Sequence, residues 1–337
     1  MKKYFLRTLV LLLLLFNTSY SAIAQLQGAI SLGAMQYEGD IGGRFPKSKL
    51  NNPTSKPALS LGMELGYKIS PFLTLRTGLN FGTIYGDDTK ISQSSFTTID
   101  GTKAIRNFDR ALQIKSHVNE IAIGAEVYPL FMLNKYFSQP IQPYLVFGFG
   151  AFTFNPKGVY TDTINDTKSW VALKPLRTEG QGIPKNISDP TQGLINDEYE
   201  LYSTNISIGL GLKYTIKSRI HIGYELLIRR TNTDYLDDAS KNYIDLSVYD
   251  NYFSTNSTLR DQAKQFSNRW LFYNRNLVLE GSATNFDINK PRGGLVNNIR
   301  DFYYTNSIKL IIDLGRNENT DSPRNGFRRG LKCPSVF

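Results

Sequence analysis

From Tyr202 to Ile216 the chain reads "YSTNISIGLGLKYTI", and it alternates residue by residue. Tyr202, Thr204, Ile206, Ile208, Leu210, Leu212, Tyr214 and Ile216 share one parity, while Ser203, Asn205, Ser207, Gly209, Gly211 and Lys213 share the other. Successive side chains of a strand point to opposite faces, so this pattern commits the segment to a strand with one apolar and one polar face. A tyrosine stands near each end of the apolar face. Transmembrane barrels carry that arrangement, an apolar outer band between two aromatic girdles around a polar interior.

The pattern recurs. Leu59, Leu61, Met63, Leu65, Tyr67 and Ile69 alternate with Ser60, Gly62, Glu64, Gly66 and Lys68. Leu73, Leu75, Leu79, Phe81 and Tyr85 alternate with Thr74, Arg76, Gly78 and Asn80. Further runs place Ile121, Ile123, Ala125 and Val127, then Leu145, Phe147 and Phe149, on outer faces. Two more do the same with Ile220, Ile222, Tyr224, Leu226 and Ile228, and with Tyr304, Ile308, Leu310, Ile312 and Leu314. The opening "LQGAISLGAMQYEGD", with Ile30 and Leu32 outward, is the weakest case. The expected fold is all-β, an eight-stranded antiparallel transmembrane β-barrel with long, partly ordered extracellular loops.

The connections sharpen this. "KISPF" and "IKSRI" are tight turns, and a short stretch near Asn134–Pro140 joins the fourth and fifth strands. The other connections run to roughly 15, 24, 45 and 66 residues, the alternation of short turns and long loops that membrane barrels use. A soluble β-sandwich has no reason to alternate in this way. The same register points Glu64, Lys68, Arg76, Glu120, Glu126, Lys213, Glu225, Arg229, Lys309 and Asp313 inward. A barrel of this size is just wide enough for side chains to fill, so crossed ion pairs and no open channel are expected.

The amino terminus reads as a signal peptide over residues 1–24. Lys2, Lys3 and Arg7 precede a short apolar run, and Ala22-Ile23-Ala24 forms an A-x-A cleavage site before Gln25. Residues 25–314 then form the barrel with its loop cap, and residues 315–337 a polar, basic periplasmic tail. The expected location is the cell outer membrane, with both barrel termini periplasmic. The net charge of +10 forms no basic stripe, so no nucleic-acid partner is expected. One cysteine, Cys333, excludes an internal disulfide framework. With only His117 and His221 besides, a His/Cys metal cluster is hard to build, and the two histidines fall near opposite ends of the barrel. No catalytic residue, cofactor or metal is assigned. The triplets at Asn186 and Asn256 match a glycosylation pattern by spacing alone.

Against this basic background "TDYLDDASKNYID" is dense in acids. It opens the longest loop, and "WVALKPLRTEGQG" lies in the other large one. These blocks, with "HVNEIAIGAEVYPL", "PYLVFGFGAFTFNPKG" and "KPRGGLVNNIRDFYY", resemble the PorG-like outer-membrane barrels of Bacteroidota. The opening "GAMQYEGDIG" also resembles that family's first strand, with its Tyr-x-Gly-Asp ending. The resemblance implies a non-enzymatic role in type IX secretion and gliding. It also implies partners: outer-membrane lipids, and a periplasmic ring of a lipoprotein and its partner subunit, touched by the short turns and tail. Departures within "RRTNTDYLDDAS" and in the tail leave two identities open, the secretion component or a paralogue whose outer loops bind an external ligand. The two loops are expected to fold together as a cap drawn from Trp170, Thr178, Glu179, Gly180, Gln181, Gly182, Thr233, Asp234, Tyr235, Asp237, Asp238 and Arg292. Asp234, Asp237 and Asp238 would accept hydrogen bonds from backbone N–H groups, Arg177 or Arg292, and Tyr235 and Trp170 would supply an apolar core. A calcium-binding or substrate-docking lid is the functional alternative.

Overall fold

The computed structural model describes residues 25–41, 56–88, 112–132, 140–162, 167–269, 292–293 and 300–315. Residues 1–24, where a signal peptide is expected, and residues 316–337 of the expected tail lie outside them. Strands β1 (Leu26–Glu38), β2 (Ala58–Ser70), β3 (Leu73–Asp87), β4 (Gln113–Val127) and β5 (Ile141–Thr153) are followed by a short hairpin, β6 (Pro156–Asp162) and β7 (Thr167–Ala172). Then come β8 (Tyr202–Lys217), β9 (Ile220–Thr231) and β10 (Phe302–Asp313). Each of β1–β5 and β8–β10 pairs antiparallel with two neighbours, and β1–β10 pairing closes the ring. The result is a closed eight-stranded barrel, which leaves no open sheet edge in its wall.

The hairpin is a departure from the sequence pattern, which predicts a loop of roughly 45 residues between the fifth and sixth strands of the barrel. β4 pairs with β5 from Val127 only as far as Asn119, and beyond that its edge passes to β6 through Ser116, Lys115 and Ile114. The backbone N–H of Asn155 donates to the Ser116 hydroxyl at 3.0 Å where the edge changes hands. β6 and β7 are too short to print a periodicity that stands out from loop, and what holds them is the vacated edge of β4.

Burial inverts the soluble pattern. Ile206, Ile123, Leu59 and Ile308 are each more than 60% exposed, whereas Arg229, Lys309, Glu120 and Glu225 are buried. A continuous outer wall of aliphatic side chains far exceeds the patches that soluble monomers expose, and it is matched to hydrocarbon. Among the described residues no helix is long and apolar enough to cross a membrane.

The main apolar core sits at the end of the barrel where the long loops emerge. Met35, Tyr37, Ile84, Phe152 and Tyr303 from strand ends meet Leu173, Leu176, Ile183, Leu236, Tyr249 and Phe266 from the loops. Two helices, α2 (Ser247–Tyr252) and α3 (Ser257–Ser267), belong to this cap. A smaller cluster of Tyr128, Tyr144, Val146 and Leu227 fills the lumen toward the short-turn end. Phe131 of α1 (Pro129–Met132) packs against it.

Candidate functional site: a filled lumen under an acidic cap

The inward residues form three tiers. In the middle tier the Arg76 guanidinium meets Glu225 at 2.7 Å, Glu126 at 3.2 Å and Glu64 at 3.4 Å. Lys309 Nζ lies 2.6 Å from Glu64 and 3.1 Å from Glu225. The Tyr128 and Tyr144 hydroxyls donate to Glu126 and Glu225 at 2.6 and 3.1 Å. Above them Arg229 Nε pairs with Glu120 at 2.8 Å, and Asn205 donates to the same carboxylate at 2.7 Å. Toward the short turns Lys68 reaches Asp313 at 2.7 Å and His221 lies 3.3 Å from it.

Each charge taken from water thus meets an opposite one, as burial requires. Lys213 is the exception to the expected crossed pairs: it is buried, and its hydrogen bond goes to the neutral side chain of Gln27 at 3.2 Å. The lumen keeps a cavity of about 20 Å³ lined by Glu64, Arg76, Asn80, Ser207 and Arg229, which is room for an isolated water.

The cap is built on carboxylates, all at the long-loop end. Asp237 is fully buried. One of its oxygens accepts the backbone N–H groups of Asp40 (3.1 Å) and Ile41 (3.0 Å) and the Tyr37 hydroxyl, and the other accepts the Ala239 N–H at 2.9 Å. Asp237 therefore ties the end of β1 to the loop after β9. Its neighbour Asp238 takes a left-handed backbone, φ 66°, which turns its side chain the other way. There it accepts the Thr178 hydroxyl at 2.5 Å and the Tyr199 hydroxyl at 2.7 Å.

Glu179 closes the link. Its carboxylate accepts the backbone N–H groups of Ser240 and Lys241, both at 3.0 Å, and Arg292 at 3.2 Å. Arg292, itself buried, also contacts the Asp238 carboxylate at 3.5 Å and donates to the Asp238 and Phe266 carbonyls. One guanidinium thus holds three loop segments, a task suited to its fixed fork of five donors. Two acids share that single cation in a dry site. Burial pushes Glu179 up to about 7, opposed by Arg292 and the two backbone donors. Burial also raises Asp238 above the usual carboxylate range. Asp301 is raised for the same reason and by the charges of Asp237, Asp40 and Asp234.

The "TEGQG" geometry explains its glycines. Gly180 and Gly182 have φ of 74° and 69°, and a Cβ on Gly182 would sit 2.1 Å from the Arg177 guanidinium. Gln181 is buried, and its side-chain oxygen accepts the Glu179 N–H at 3.0 Å. Thr233 accepts the Tyr235 N–H on its hydroxyl, and Tyr235 stacks on Tyr199 with ring centroids 4.4 Å apart.

So the structure brings together Thr178, Glu179, Gly180, Gln181, Asp237, Asp238, Arg292 and Tyr235, with Thr233 beside them. Other expected members stand elsewhere. Trp170 is 41% exposed on β7, outside the cap core, because the hairpin carries it onto the outer wall. Arg177 turns to the Gln181 carbonyl (2.6 Å) and to Glu198 (3.5 Å), away from the aspartates. Asp234 is half-buried at the margin. Tyr37, Asp40, Tyr199 and Asp301 join the site without a place in the sequence pattern that marks the two loops. The Tyr-x-Gly-Asp spacing at Tyr37–Asp40 was the available signal: a Cβ on Gly39 would lie 2.1 Å from Asp301, so only glycine admits this packing.

The histidines stand apart, His117 exposed beside Thr83 and His221 buried beside Thr215 and Asp313. Among the described residues no group of His, Cys, Asp and Glu is placed to hold a metal ion. Asn186 accepts the Ser188 N–H, and Asn256 caps α3 by accepting the Leu259 N–H, so both side chains have local structural work.

No family model matches the chain, and no curated protein matches it. Among solved structures it is similar to neisserial surface protein A, at 9% identity over 86% of this chain and 97% of that one, with a TM-score of 0.31. It is also similar to Ail, the attachment invasion locus protein of Yersinia pestis, at 7% identity over 86% and 99%, with a TM-score of 0.31. OprG from Pseudomonas aeruginosa aligns at 10% identity over 85% and 95%, with a TM-score of 0.32. At such scores the barrel assignment rests on the strand pairings themselves.

Proposed function

We propose that this protein is a non-enzymatic outer-membrane barrel that anchors or forms part of the type IX secretion and gliding machinery. Its short turns and termini face the periplasm and its long loops face outward. The observation that carries this reading is the meeting of the family-like blocks. "TEGQG", "TDYLDD" and the Arg292 segment lie far apart in sequence, yet Glu179, Asp238 and Arg292 join in one buried knot. The resemblance therefore resides in residues that build a common cap. The lumen below, filled with paired charges and tyrosines, favours an anchor over a pore. The contact with a periplasmic lipoprotein ring falls on the short turns around Pro71, Ser218 and α1.

A second reading is a paralogue whose cap binds an external ligand. It is favoured by Ile187 and Leu194, both 41% exposed on the loop beyond "TEGQG". Crosslinked pull-down of the tagged protein from native outer membranes, with mass spectrometry of its companions, separates the two. Recovery of a periplasmic lipoprotein and its partner supports the first. Recovery of the barrel alone, or with surface material only, rejects it in favour of the second.

A further inference from the structure

The outer wall changes character beyond β3 and β4. Phe81 is the last outward apolar residue before a row of Thr83 and His117, and the next row is Tyr85, Lys115 and Lys157. Lys115 and Lys157 are direct cross-strand partners on β4 and β6. Like charges directly opposite weaken a sheet unless a counter-charge joins them. Neither lysine forms an ion pair among the described residues. The acid on this face, Asp87, accepts from Gln113 Nε2 at 3.3 Å on both oxygens. Trp170 stands beside the lysines on β7, 41% exposed, with the Lys115 ammonium 4.8 Å from its ring centroid.

We propose that this face, made by Lys115, Lys157 and Trp170, binds the phosphates of anionic lipid headgroups in the leaflet at the long-loop end. The inference rests on the reading of the barrel as membrane-spanning. Height supports it. Lys115 lies four residues along the strand from the Phe81 row, about 13 Å of rise and about 10 Å along the normal at an ordinary barrel tilt. Long lysine stems reach back several ångströms from there to the headgroup zone. Chemistry supports it too: two ammonium groups that form no ion pair among the described residues offer donors to a phosphate, and an exposed tryptophan is a residue of membrane interfaces. Only the polar row of Thr83 and His117 separates the apolar wall from the lysines, so a lipid whose chains lie on Ile121, Ile123 and Phe81 carries its headgroup across that row toward Lys115 and Lys157. Lys168, further up the same face, stands beyond that reach.

The test uses the full mature chain refolded into phosphatidylcholine vesicles containing a minority of phosphatidic acid. Native mass spectrometry then counts the lipids retained on release into detergent. The wild type is expected to retain phosphatidic acid above its share, by roughly fivefold for each lysine, the attraction of a surface basic residue for an anionic leaflet. Lys115→Gln/Lys157→Gln is expected to retain it only at its share. Folding of both proteins is read from the heat-modifiable band on electrophoresis. Equal retention by a folded variant, or no enrichment by the folded wild type, overturns the proposal. Enrichment abolished by inorganic phosphate also overturns it, assigning a plain anion site in place of a lipid face. A wild type that fails to insert at all sinks the membrane-spanning reading itself, a result distinct from the others.

Discussion

Arg292 carries the cap as a single residue. Replacing it with Met leaves Glu179 and Asp238 buried without their cation, and breaking a buried pair in this way costs about 3–5 kcal/mol. Proteolysis of the long loops in the folded, membrane-inserted protein is expected to accelerate accordingly, while the barrel wall stays protected. Asp237→Ala/Asp238→Ala should do the same, since it strips acceptors from Asp40, Ile41, Ala239, Thr178 and Tyr199. Unchanged loop cleavage in the double variant would show that these carboxylates hold nothing.

The same site predicts a pH response. Glu179 in the fold sits at about 7, above its ordinary value, so folding favours its protonated form. Its contribution is complete below the ordinary carboxylate range and is lost as pH rises through about 7. Asp238 shifts in the same direction. Loop protection is therefore expected to be greater at pH 5 than at pH 8, and Glu179→Gln should flatten that difference.

At the scale of elements, the wall and the lumen answer to opposite rules on alternate residues of one strand. On β8, Ile208 stands midway between Tyr202 and Tyr214 on the lipid face. Ile208→Lys is expected to cost about 2–4 kcal/mol in reversible folding into lipid, the depth-dependent penalty of a midplane cation. Gly211, inward on the same strand, leaves room for Tyr144: an added Cβ would lie 2.0 Å from the ring. Gly211→Ala should thus destabilise the barrel by displacing Tyr144 from Glu225, measured in the same folding titration. Both results follow from alternation that is plain in the sequence. The β6–β7 hairpin was not plain there, because seven and six residues held by a borrowed edge carry too little pattern of their own. Its consequence for the outer face is direct, since it takes Trp170 out of the cap and sets it beside Lys115.

For the molecule as a whole, five inward cations and five inward anions occupy a lumen already narrow enough for side chains to fill. Planar-bilayer recordings of the reconstituted protein are expected to show no large conductance. Steps of porin size would contradict a lumen held shut by Arg76, Lys309 and their three glutamates. The cap packs the long-loop end, and Tyr128, Tyr144 and Phe131 cluster toward the short-turn end.

The sequence by itself determined the barrel: its eight strands, which parity faces lipid, which charges face inward, and which connections are long. Period two is a local property, legible wherever a strand is long enough and its two faces meet different solvents. It also marked "TEGQG" and "TDYLDD" as the segments to watch, through glycine and acid density and through family likeness. Only the tertiary structure decided what those segments do together. The pairing of Glu179 and Asp238 with Arg292, the tie from Tyr37 to Asp237, and the transfer of Trp170 to the outer wall join residues far apart in the chain. Such contacts are selected by the burial and hydrogen-bond satisfaction of a whole assembly, which no local pattern records.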